Sequence, residues 1–160
     1  MFPHNKSEKA IQQEKELLAA IEPTLLKIKQ LMVQKSFKHF YIPDQFNYDA
    51  TIDDYFEPEI WDDDKNLFAS YSHHEAVVLL TVDGIYLGND ELRFDIVEHY
   101  WLDWTKEEGQ PIGRMSVKNM VEQAVTNGDD EYSLKAVLEF YVELLNRYDH
   151  ENAYIENPVA

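Results

Sequence analysis

Between Asn66 and Trp104 the chain reads NLFASYSHHEAVVLLTVDGIYLGNDELRFDIVEHYWLDW. Runs of β-branched and aromatic residues here are punctuated by short turn signals, a pattern that suits an antiparallel β-meander. Asp83-Gly84 stands between VVLLTV and IYLG and predicts a two-residue type I′ hairpin. Gly88-Asn89-Asp90 predicts a second turn. After it Leu92, Phe94 and Ile96 alternate with Arg93 and Asp95, as in a half-buried strand. Val97 to Trp104 reads equally as strand or as one helical turn. Upstream, KHFYIP at 38–43 predicts a short strand ended by Pro43.

Helical patterns flank this region on both sides. Ser7 suits an N-cap. Ile11, Leu18, Leu25 and Met32 then recur every seven residues, with Leu17, Ile21 and Ile28 widening the stripe. So short and broad a stripe favours an amphipathic helix covering a sheet over a coiled coil. Pro23 either kinks one helix or starts a second at its first turn. GQPIGRM at 109–115 reads as a loop. Ser116 caps a helix bearing Val117, Met120, Val121, Ala124 and Val125 that stops at Asn127-Gly128. A last helix carries Leu134, Val137, Leu138, Tyr141, Leu144, Leu145 and Tyr148. The expected fold is α+β, an antiparallel meander or hairpin core flanked by N-terminal and C-terminal helices. One domain over 1–160 is expected, with a helical segment at 7–37, a sheet at 38–104 and helices at 116–149.

The chain has 160 residues and carries a net charge of -17, from 14 basic and 31 acidic residues. Residues 1–40 hold seven Lys and four Glu, whereas 41–160 hold seven Lys or Arg and 27 acids. A field of that sign repels nucleic acid and anionic membranes and attracts cationic surfaces. With no cysteine, disulfides and thiolate metal sites are excluded. No signal peptide and no membrane-length apolar run is present, so a cytoplasmic location is expected.

Motifs for catalysis are few. His73-His74-Glu75 offers metal-ligand chemistry, but HExxH spacing is missing and a third ligand would have to come from His39, His99 or an acid. Asp62, Asp64 and Asn66 match the first three ligand positions of an EF-hand loop, yet Leu67 stands where glycine is required and His73 where glutamate is. There is no nucleophile elbow, no SxxK, no phosphate loop and no dinucleotide fingerprint. No cofactor and no catalytic residue is expected.

Tyr41 to Asp64, YIPDQFNYDATIDDYFEPEIWDDD, gathers nine carboxylates and six aromatics without one Lys or Arg. Ordinary surfaces mix both signs. Acids that steer an approach and rings that supply contact area make a plausible interface composition. The candidate partner-binding residues are Asp53, Asp54, Tyr55, Phe56, Glu57, Glu59, Trp61, Asp62, Asp63 and Asp64. In size, lack of cysteine, lack of catalytic motifs and acidic stretches such as DDYFEPEIWDDD, the chain resembles, as a class, bacterial immunity proteins, including those of contact-dependent growth inhibition. The resemblance implies a non-enzymatic toxin inhibitor that binds and neutralises a basic toxin, for example a nuclease domain. Two other readings stay open: a small metal-dependent enzyme using His73, His74 and Glu75, and a phage-type DNA mimic. The oligomeric state is open.

Overall fold

The computed structural model describes residues 7–41, 65–102, 105–106, 110–128, 133–147 and 155–156. Among them α1 (Glu8–Lys35) precedes β1 (His39–Tyr41), β2 (Leu67–His73), β3 (Ala76–Gly88) and β4 (Glu91–Leu102). These are followed by β5 (Thr105–Lys106), β6 (Gln110–Ser116), α2 (Val117–Asn127), α3 (Leu134–Arg147) and β7 (Ile155–Glu156). The fold is α+β, with an antiparallel sheet and helices at both ends.

Every pairing in the sheet is antiparallel. β3 and β4 form its long central hairpin. β2 pairs with the first half of β3 and β1 with the second half, so both run along one edge. β5 and β6 share the outer edge of β4 in the same way, and β7 lies outside β1. Each flank of the central hairpin is thus one strand interrupted.

The Asp83-Gly84 hairpin does not form; β3 runs straight through it. The register shifts between Val82 and Gly84, which makes Asp83 a β-bulge. A strand buried on one face alternates, and the unbroken VVLLTV hides the reason that this one does not. Val78, Leu80, Val82 and Ile85 belong to the helix-side core, while Leu79 and Thr81 point to the opposite face and are buried as well. The actual turns are His74-Glu75, closing β2 on β3, and Asn89-Asp90, closing β3 on β4. Asn89 (φ 51°) and Asp90 (φ 66°) both take the left-handed conformation that a type I′ turn requires.

His74 (φ 56°) takes that conformation without being glycine. Left-handed backbone costs an L-residue about 1–2 kcal/mol, and glycine's extra chain entropy returns about 0.5–1. His74→Gly is therefore expected to stabilise the fold by about 0.5 kcal/mol. Urea unfolding would show it as a raised midpoint with an unchanged slope; a lowered midpoint would mean that the imidazole makes a stabilising contact.

Within GQPIGRM, the described residues from Gln110 on form an edge strand, not a loop. Pro111 lacks an N–H, which an edge strand can spare on its open side. Gly113 takes φ 116° beside the register shift between Ile96 and Val97. The segment from Val97 continues as strand to Leu102.

The capping signals hold. Ser7 Oγ accepts from Ala10 N–H at 3.0 Å, and Ser116 Oγ from Asn119 N–H at 3.2 Å. α1 passes Pro23 as one helix. It ends at Ser36, in the left-handed conformation, whose N–H returns to the last turn. α2 ends at Gly128, a position that only glycine fits: a Cβ there would lie 2.2 Å from the Ala124 carbonyl oxygen. The heptad reading of α1 fails at its start, since Ile21, Ile28, Leu31 and Met32 are buried while Ile11 and Leu18 are exposed. α1 packs chiefly on α3 and α2 rather than directly on the sheet. Among the described residues no helix is long and apolar enough to cross a membrane.

Candidate functional site

Asp53, Asp54, Tyr55, Phe56, Glu57, Glu59, Trp61, Asp62, Asp63 and Asp64 lie outside the described residues. The framework fixes where their segment is tethered. β1 ends with Tyr41 opposite Gly84, and β2 begins with Leu67 opposite Thr81. The main chain is secured just before β2, where Val82 N–H donates to Asn66 O at 2.8 Å. Both tethers therefore sit within three positions of each other on β3, facing the Asp83 bulge.

Charge is uneven along the chain: residues 41–64 hold nine acids and no Lys or Arg, against 22 acids and 14 basic side chains in the rest.

Among the described residues, the buried polar side chains Thr81 and His99 lie beside the bulge. Val82 O accepts from Tyr141 Oη at 2.7 Å and from Asn66 Nδ2 at 3.1 Å. Asp83 Oδ1 accepts from Asn66 Nδ2 at 3.1 Å and from Thr81 Oγ1 at 2.6 Å. Thr81 Oγ1 lies 3.2 Å from His99 Nε2. Because the hydroxyl proton goes to Asp83, a lone pair of Thr81 faces His99, which donates from Nε2. An activated nucleophile would donate to the imidazole instead. Thr81 and His99 are also each only 2% exposed. The cluster is a structural device that satisfies the bulge. Burial, together with the charges of Asp83 and Asp95, pushes the Tyr141 hydroxyl well above its usual range.

A second constellation occupies the sheet face away from the helices. Register places His39, Tyr86, Arg93 and Ser116 in one row across four strands, and Gly84, Asp95 and Arg114 in the next. Asp95 accepts from His39 Nε2 through Oδ2 and from Arg114 Nε through Oδ1 at 2.9 Å. Arg114 stacks over the Tyr86 ring at 4.1 Å. Burial raises the Asp95 carboxyl, but the hydrogen bonds and charges of His39 and Arg114 together outweigh it and leave it below the usual aspartate range. Sequence reasoning missed both constellations; an Asp inside a strand pattern was the one signal for the first.

His73, His74 and Glu75 sit at the exposed β2–β3 turn, with the two imidazole centroids 4.3 Å apart. The other two histidines considered as ligands are engaged elsewhere, His39 with Asp95 and His99 with Thr81. Among the described residues no three His, Asp or Glu side chains converge on a metal-sized position. The arrangement offers an antiparallel frame to which residues 42–64 are joined at the end of β1 and the start of β2. Comparison with known protein families, curated proteins and solved structures gives no match for this chain.

Proposed function

We propose that this chain is a non-enzymatic acidic binding protein that captures a basic protein, acting as an immunity protein against a cognate toxin such as a nuclease domain. The observation that carries the reading is the clustering of charge in the sequence: Tyr41 to Asp64 holds nine carboxylates and no Lys or Arg. Solubility alone would be served by acids spread over the whole surface. Acids concentrated in short stretches repel one another and destabilise the compact chain, until a cationic surface arrives and reverses the sign of that energy. In this reading Asp53, Asp54, Glu57, Glu59, Asp62, Asp63 and Asp64 steer the approach. Tyr55, Phe56 and Trp61 supply the contact area that slows dissociation. On a nuclease target the carboxylates would stand where substrate phosphates bind.

The candidate partner is the basic product of the adjacent gene, and stopped-flow association is the measurement. The on-rate should fall at least about ten-fold as salt rises from low to high ionic strength. Reversing Asp62, Asp63 and Asp64 to Lys should reproduce that loss at low salt with little change in off-rate. Each variant is first shown to melt like the parent. A folded triple reversal that leaves on-rate and salt dependence unchanged would reduce the segment to a solvated surface.

A further inference from the structure

The two half-buried carboxylates of β4 are compensated differently. Asp95 meets His39 and Arg114. Glu98 enters none of the ion pairs formed among the described residues. It accepts a hydrogen bond from Tyr100 Oη at 3.1 Å instead. A charge that gives up part of its hydration without gaining a counter-ion costs the fold stability. Natural sequences keep such mismatches chiefly where they serve a function.

Register builds the surroundings of Glu98. Tyr71 of β2, Val78 of β3 and Tyr100 of β4 stand in one row on the helix-side face, with Ala69, Leu80 and Glu98 in the next. Val78 and Leu80 are buried, and both tyrosines pack against the core while staying partly open to solvent. Strand spacing sets the backbones of Tyr71 and Tyr100 about 10 Å apart, on either side of Val78. Both hydroxyls lie in the field of Glu98. Its hydrogen bond and charge raise the Tyr100 hydroxyl above the ordinary range, and burial together with the same charge raises Tyr71. A carboxylate offers about four lone-pair sites, so the bond from Tyr100 leaves room for the two parallel N–H donors of a guanidinium. The planar guanidinium also stacks on aromatic rings, which a compact ammonium does less well.

The place suits a partner guided by the acidic stretch. Ala69, in the row of Glu98, is two residues beyond Leu67, and Asp64 is three residues before it. Three virtual bonds hold Asp64 within about 11 Å of Leu67.

We infer that Glu98, flanked by Tyr71 and Tyr100, is an arginine-binding site that takes one guanidinium of the basic partner bidentately. That the cation comes from such a partner rests on the function proposed above; the site itself does not.

The test therefore begins without a partner. N-acetyl-arginine methylamide is titrated into the full chain while the ring NMR signals of Tyr71 and Tyr100 are followed. Both should shift saturably in the millimolar range, and Glu98→Gln should weaken binding at least about ten-fold. The lysine analogue should bind more weakly. Glu98→Gln keeps the shape and an acceptor for Tyr100 while removing an uncompensated charge, so its urea midpoint should equal or exceed the parent's. A lowered midpoint would make Glu98 a structural residue and overturn the inference. Tyrosine signals that ignore the arginine probe, or that respond equally in Glu98→Gln, overturn it too, and a lysine analogue bound as tightly overturns the bidentate geometry. With the product of the adjacent gene, Glu98→Gln should raise the off-rate at least about ten-fold and leave the on-rate unchanged. If that product is not captured but the probe binds, the proposed function fails and the site stands. Capture with an off-rate indifferent to Glu98→Gln sinks the site's role and spares the function.

Discussion

Tyr141→Ala should cost the fold about 4–5 kcal/mol, the largest loss expected from any single substitution considered for this chain. Tyr141 is fully buried on α3, meets Phe40 edge-on at 6.4 Å and Phe140 at 5.9 Å, and donates to the Val82 carbonyl. Truncation leaves a cavity between α3 and the sheet and removes one of the two side-chain donors on the Val82 carbonyl. Tyr141→Phe separates the two effects. It keeps the ring and leaves Asn66 Nδ2 as the remaining donor, so about 1–2 kcal/mol is expected. Denaturant unfolding of the two variants checks both values. A Phe variant as unstable as the Ala variant would mean that the hydroxyl, not the packing, holds α3 to the bulge.

Asp95→Ala should cost about 2 kcal/mol at neutral pH, because it removes the acceptor of two charge-assisted hydrogen bonds. Arg114 is nearly half exposed and contributes little; most of the loss comes from the better buried His39 contact. The pH dependence has a definite sign. Asp95 titrates below its unfolded value in the native state, so its contribution is fully present above that value, about pH 4. It is lost as the pH falls through the lower native value. The stability difference between parent and Asp95→Asn should therefore shrink on acidification below about pH 4. A gap that stays constant into stronger acid would show that the carboxylate's charge plays no part.

What the sequence made legible divides along a physical line. Caps depend on residues three positions apart, and Ser7 and Ser116 were readable for that reason. The helix faces of 117–127 and 134–147 depend on local period and were readable too. Asp83-Gly84 was not, because a bulge and a type I′ turn demand the same residues, and the burial of both faces of β3 that decides between them comes from tertiary packing. GQPIGRM failed similarly: Pro111 and Gly113 are loop residues in isolation, and only pairing with β4 makes them an edge strand. The Asp95 hub joins residues from β1, β4 and β6, and no local pattern announces it. The acid-rich segment was legible as composition, and the frame around it shows where it is attached.

The interruption between β1 and β2 bears on how such a protein can change over generations. The two halves of that edge strand are each fastened to β3 by their own ladder, so the 42–64 stretch closes a loop whose ends are already held. Closing a longer loop between fixed ends is cheap: doubling its length costs on the order of 0.6 kcal/mol. Added length in that stretch therefore costs the fold little closure entropy. If this stretch is the recognition segment proposed above, its length can change between related chains at little closure cost to the frame.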